Sequence, residues 1–504
     1  DLLLDPTNIT ISAIGDPGIG GSTISNVWLS NQLDAGNNVI ISTNFGGSER
    51  GNIVVGRTGS SAESLADKVE WYQDSASIVG GSLSLLATGD IAFNTSVRTA
   101  SAGNINIVAG WDGATGLSMG NFDISAVLAT MNDGNVGNDA AGLNGGSVFV
   151  GGNGSRVGLN VGSRWGDTSV AARDLFVTGS TATTQAYAQL GFYDNGVEYD
   201  LSNSHNGARM NEWWGATVGN VLGKNYIALL GGTEFGTGDT LALGTKAFRG
   251  AGWGATGDIT IGLSGRLDMR SGTGASHTQI GHGGSLREGT ENKWSSTAGN
   301  PLNPARVSRD GIQIDPGDNR YSFWGSTWRT NYAGDAARID GDIKLTADGD
   351  ILMMAARGFD AEDNLVTNVD DGVYTMIGHG GAENHGSYHG DIQVQANGVT
   401  PIGYVRGPSG LGIQVLGGRG TRAFAMIGHG SGYEGNRRSI WDQRKSGDIS
   451  VTATTGAIRL QAHNQAIREG DLNFGTIVGP NTPTPINNGS DSSNLTSFVQ
   501  IGHG

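Results

Sequence analysis

The sequence predicts an all-β chain, a right-handed parallel β-helix with loop excursions. Three observations predict it. Glycine is abundant, at 87 of 504 residues, against a usual share of roughly 7%. Short runs of alternating apolar and polar residues recur along the chain, at the period of two that marks a strand with one buried face. Many of these runs come in pairs joined by a short, polar, glycine-bearing corner.

Taken in order, the single strands read GNNVIIS at 36–42, GNIVV at 51–55, GNINIVAG at 103–110 and GDIQVQA at 390–396. The paired strands read GSLSLLATGDIAF at 81–93, GDITIGLSGRLDM at 257–269, GDIKLTADGDILM at 341–353 and GDISVTATTGAIRL at 447–460. None of these corners carries the Asn-Gly signature of a tight hairpin. The chain is therefore expected to bend and run on, building coils that stack and bury their inward side chains. Helical spacing is scarce, and LADKVEWY at 65–72 is the best helical candidate.

Composition limits the functional classes. Only 15% of residues are charged and the net charge is −16, so the basic face that nucleic acid or an anionic lipid surface demands is absent. Cysteine is missing altogether, which removes disulfides, cysteine zinc sites and thiol nucleophiles. No apolar stretch reaches the length of a membrane-spanning helix. The chain begins at Asp1 without a signal pattern, and is expected to be a processed or excised segment of a longer one.

One phrase recurs at unequal intervals: HTQIGHGG at 277–284, YTMIGHGG at 374–381, FAMIGHGS at 424–431 and FVQIGHG at 498–504. Its glycines, Gly281, Gly283, Gly378, Gly380, Gly428, Gly430, Gly502 and Gly504, suit turn conformations closed to other residues. Its histidines are His282, His379, His429 and His503. If a coil takes roughly 20–25 residues and coils stack at about 4.8 Å, His379 and His429 lie about two coils apart. That is on the order of 10 Å, and His282 and His379 would be about 20 Å apart. A zinc ion needs nitrogens at about 2.0–2.1 Å, so these repeats are not expected to share a metal. Each IGHG is read as a strand end whose imidazole caps neighbouring carbonyls.

A local cluster, His379, Glu383, His385 and His389 in HGGAENHGSYHG at 379–390, has spacing that sterically admits a divalent ion. Loop histidines this close are more often solvated, so these four are weak metal candidates only. Tryptophans gather in the longer excursions, among them EWWG at 212–215 and FWGSTW at 323–328. Trp213, Trp214, Trp324 and Trp328 are the candidates for stacking on sugar rings, against the plainer role of covering a core. No H-E-x-x-H or P-loop motif is present, and no catalytic or cofactor-binding residue is predicted. The alternative reading is a polysaccharide-binding or polysaccharide-cleaving β-helix. It needs two carboxyls about 5–9.5 Å apart, and Asp-rich turns such as DGD at 348–350 or NVDDG at 368–372 are candidate sources.

DLLLDPTNITIS at 1–12, VWLSNQLDAGNNVIIST at 27–43 and GGSLSLLATGDIAF at 80–93 resemble filamentous haemagglutinin-type adhesins, the large exoproteins of two-partner secretion. The match is best over 1–110. AYAQLG at 186–191 and the IGHG units resemble the AYAQIGHGG repeats of large members of that group, over 186–504, whereas 111–185 is loosely patterned. The resemblance implies a β-helical rod on a bacterial cell surface or outside it, exported with an outer-membrane secretion partner, and no catalytic residues. The secretion domain such proteins begin with is not recognisable, which places this segment downstream of it. One elongated body over 1–504 is expected, with about 20 coils at roughly 4.8 Å, near 100 Å in all and less where loops absorb many residues. Open strand edges favour end-to-end or lateral self-association. Host or matrix glycans or proteins are the expected contacts, with neither nucleic acid nor membrane insertion.

Overall fold

The computed structural model describes residues 8–13, 22–43, 50–57, 64–71, 80–112, 117–118, 121–122, 146–182, 186–192, 254–283, 308–309, 312–313, 338–355, 358–359, 365–366, 373–381, 387–399, 410–418, 423–430, 445–462 and 498–503, apart from positions 65, 100, 153–154, 156–157, 275 and 340. Its frame is three long sheets of parallel strands. The first has ten strands, the second and third have eight each, and a fourth has four short ones. The chain visits first, third and second sheet in turn, then repeats. Ile351–Met354, Thr375–Ile377 and Ile392–Ala396 make one such circuit; Leu411–Leu416, Ala425–Ile427 and Ile449–Ala453 make the next.

Equivalent strands pair in register from coil to coil. Ile343 lies opposite Ile392 and Ile392 opposite Ile449. Ile280, Ile377, Ile427 and Ile501 form a second such column. The protein is a parallel β-helix. Its inward positions supply one continuous core, from Ile9 and Ile11 through Ile259, Leu345 and Val394 to Ile427. Alternation produces this directly, because every second side chain of a strand points inward. Each fully buried Val, Leu or Ile contributes about 1.5–3 kcal/mol.

The four paired stretches are the second-sheet to first-sheet bends, as in Ile259–Leu263 to Leu267–Arg270. The loosely patterned 111–185 also contributes a complete circuit, through Ser147–Gly151, Leu159–Ser163 and Thr168–Ala172.

Two expectations are corrected. The helix expected over 65–72 does not run its length: Ala66 is helical, but Val69–Trp71 is a strand with Val69 and Trp71 inward. In so short a run, the four-residue spacing of Leu65 and Val69 masked the two-residue alternation of Val69 and Trp71. The helix, α1, spans Asn26–Asp34, with the Ser25 hydroxyl accepting from the Trp28 N–H at 3.3 Å. It buries Leu29 and Leu33 and lies against the outermost strand of the third sheet. There Asn26 Nδ2 donates to the Ala66 and Lys68 carbonyls at 2.8 and 2.7 Å, and the Glu70 N–H donates to Ser30 Oγ at 3.2 Å. A helix thus covers an edge that would otherwise offer open backbone groups.

Among the described residues, the coil count is also smaller than expected. Ten strands in the longest sheet at about 4.8 Å give a stack of roughly 45 Å, not 100 Å. No helix among the described residues is long and apolar enough to cross a membrane.

Candidate functional site: the IGHG corner

Each IGHG closes a third-sheet strand. In Tyr374–His379, Thr375 and Ile377 face inward, while Tyr374 and Met376 face the other side and build a second apolar cluster with Phe424, Met426 and Phe498. Rings at the Tyr374 position stack along the helix axis: Tyr187 on His277 at 4.8 Å, His277 on Tyr374 at 4.4 Å, Tyr374 on Phe424 at 4.8 Å and Phe424 on Phe498 at 5.0 Å. His277 in this column was not singled out by sequence reasoning. Laying SHTQIGHG under VYTMIGHG places it beneath Tyr374.

The repeat histidines form a column of their own. His282 stacks on His379 at 5.1 Å, His379 on His429 at 4.8 Å and His429 on His503 at 5.1 Å. They therefore occupy consecutive coils. The separations of about 10 and 20 Å expected from a uniform coil length are wrong, because successive repeat strands pair directly whatever the number of residues between them.

Both nitrogens of each ring are committed. Nδ1 accepts a backbone N–H from the preceding coil: Phe192 to His282 at 2.9 Å, His282 to His379 at 3.0 Å, His379 to His429 at 3.1 Å and His429 to His503 at 3.3 Å. Nε2 donates to the carbonyl of the glycine that opened the same turn. These pairs are His282 with Gly257 and His379 with Gly341, both 2.7 Å, His429 with Gly390 at 2.8 Å and His503 with Gly447 at 3.0 Å. This pattern requires the neutral Nε2–H tautomer, since only then is one nitrogen a donor and the other an acceptor. Each histidine thus clasps the end of one turn to its beginning. Phe192 takes the first place in the column, in a repeat that reads LGF instead of IGH.

The first glycine of each unit permits this stacking. A Cβ on Gly281 or Gly428 would lie 1.9 or 2.0 Å from the glycine carbonyl of the next coil. Glutamines add a further tie: Gln279 Nε2 donates to the Gly378 and Gly380 carbonyls, both at 3.0 Å.

Beside the histidines runs an aspartate column from the GD corners. Asp258, Asp342, Asp391 and Asp448 each donate a backbone N–H to the preceding aspartate's Oδ1 at 2.8–3.0 Å, beginning at Asp167. Burial, then the like charges of Asp167 and Asp342, push the Asp258 carboxyl above its usual range. These carboxylates are engaged in holding coils together.

Burial pushes His282 and His429 down to about 4, and holds His379 well below the ordinary imidazole value. Neighbouring histidines add to the depression of His379 and His429. Of the four metal candidates, His379 has neither nitrogen free for a cation. His389 stands in Ser387–His389 of the fourth sheet, its Nδ1 2.6 Å from Ser446 Oγ. Glu383 and His385 lie outside the described residues, as do Trp213, Trp214, Trp324, Trp328, Gly504 and the acidic turn at 368–372. Among the described residues, no group of three or more histidine and acidic side chains is placed to hold a metal ion. Comparison with protein-family models, curated proteins and solved structures returned no match.

Proposed function

We propose that this chain is a structural and adhesive rod segment of a large secreted bacterial surface protein, working outside the cell to hold distance and present loops. The observation that carries this reading is the IGHG corner. In four consecutive coils it is closed by the same histidine-to-glycine bond, whatever length of chain follows before the next coil begins. Such a corner suits a scaffold from which segments of any length can project. The likeness of 1–110 and 186–504 to filamentous haemagglutinin-type adhesins supports the same reading. On it, the export partner is an outer-membrane protein, and the excursions contact host or matrix glycans or proteins. Rods of this kind also associate end to end or side by side.

The test is incubation of the purified chain with a panel of polysaccharides, following retention and new chain ends together. Retention without new ends supports an adhesive rod. New reducing or unsaturated ends, abolished by changing carboxylates, would replace it with a polysaccharide-cleaving enzyme. Neither retention nor cleavage would limit the chain to spacing or to protein contacts.

A further inference from the structure

We propose that the histidine column is an acid-released latch: protonated imidazoles let go of the preceding coil and loosen the corner from which the excursions leave. The inference rests on the geometry of the column and holds whether or not the rod is adhesive.

The geometry allows one protonation state. Each Nδ1 must offer a lone pair to the backbone N–H of the preceding coil, about 3 Å away at Phe192, His282 and His379. A protonated ring has donors on both nitrogens and no acceptor. Its Nδ1–H would then face another N–H, and the inter-coil bond becomes a repulsion. The charges also accumulate, because successive rings are only 4.8–5.1 Å apart.

Among the described residues, few groups nearby offset that charge. Asp167 acts favourably on His282, and Asp342 on His429. His429 is opposed by His503 and by His389 of the fourth sheet. The stem of Lys445 approaches Gly430 beside it, and the Arg164 guanidinium lies 5.9 Å from the Phe192 ring that heads the column. Among the described residues, His379, at the centre, has burial and two further histidines against its charge, with the Gly341 carbonyl in its favour.

The aspartate column behaves differently. A carboxyl that takes up a proton keeps a carbonyl oxygen able to accept the next amide, so acid spares the GD corner and weakens the IGHG corner.

The sign follows from linkage. Above the ordinary imidazole value of about 6.5, His282, His379 and His429 are neutral in both folded and unfolded chains, and the full stability is present. As pH falls below it, the unfolded chain takes up protons that the closed corner refuses, so stability is lost. The loss continues to about 4, where His282 and His429 themselves protonate. Each pH unit in this window costs about tenfold in the closing equilibrium per histidine.

The test is hydrogen exchange by mass spectrometry on the full chain between pH 7.5 and 5.0, with rates normalised to intrinsic exchange at each pH. Peptides covering 276–283, 373–381 and 423–430 are compared with 257–263, 341–347 and 390–396. The expected result is a reversible loss of protection at the IGHG peptides at least tenfold greater than at the GD peptides. Equal loss in both sets, or no loss in either, would overturn the proposal. His379→Gln, which can donate and accept without titrating, is expected to flatten the pH dependence at 276–283. Should that variant fail to fold, 15N-histidine spectra of the native chain decide. Nε2–H tautomers that titrate well below 6.5 support the latch, and rings titrating near 6.5 with protection intact refute it.

Discussion

Gly378 adopts a φ of +150°, and a Cβ there would stand 1.9 Å from the Gly428 carbonyl oxygen. Two penalties therefore coincide, a backbone conformation rarely adopted by other residues and a clash with backbone that cannot yield without parting two coils. Gly378→Ala is expected to cost about 2–5 kcal/mol, read as a lower urea midpoint. Gly36 is the control: its φ is +84° but nothing lies within 4 Å of an added Cβ. Gly36→Ala should cost only about 1–2 kcal/mol. Equal losses at the two positions would show that conformation alone, and not coil contact, demands glycine in IGHG. The histidine beside it obeys a similar constraint, since its ring serves only if one nitrogen donates and the other accepts.

Among the elements, the third-sheet strands carry the most side-chain ties between coils. Gln279 reaches two carbonyls of the next coil and accepts the Tyr374 hydroxyl at 3.2 Å. Met376 and Met426 fill the same position in the following coils and pack with the aromatic column instead. Gln279→Met keeps the volume but strips donors from buried carbonyls, and is expected to lower stability by about 1–3 kcal/mol in the same denaturation assay. An unchanged midpoint would mean that the glutamine tie is dispensable.

The helix α1 makes the corresponding case at the other end: Leu29→Ala should cost about 2–5 kcal/mol and expose the Val69–Trp71 edge. The strand pairs were legible in sequence because alternation and glycine corners are local signals. Helix α1 was not read from the sequence, although the Ser25 cap, the Leu29–Leu33 spacing and the stop at Gly36 mark it; the run at 65–72 was preferred, and only its start is helical. Coil number was not legible. No local signal separates a coil from an excursion, so equal coil lengths placed His379 and His429 twice too far apart. That the imidazole would meet carbonyls could be anticipated from a glycine-rich strand end. Its Nδ1 partner could not, because it belongs to a coil far away in sequence.

For the whole molecule, the decisive feature is where a turn closes relative to where an excursion leaves. Gly257 opens a turn and His282 closes it with a 2.7 Å bond, before the segment 285–337 begins. The next coil makes the same connection, from Gly381 to the fourth-sheet strand Ser387–His389, through 382–386 alone. Earlier coils pass from third to second sheet more directly still, as from Leu159–Ser163 to Thr168–Ala172. The frame therefore does not require 285–337. Replacing that segment with the sequence of 382–386 should leave the β signal of the remaining chain intact. Shortening a loop this much lowers its closure entropy cost by about 2 kcal/mol, so the variant should be as stable as the parent or up to that much more stable. Circular dichroism and urea unfolding check both expectations. A loss of several kcal/mol, or of the β signal itself, would show that the excursion is part of the frame and that the clasp alone does not close the coil.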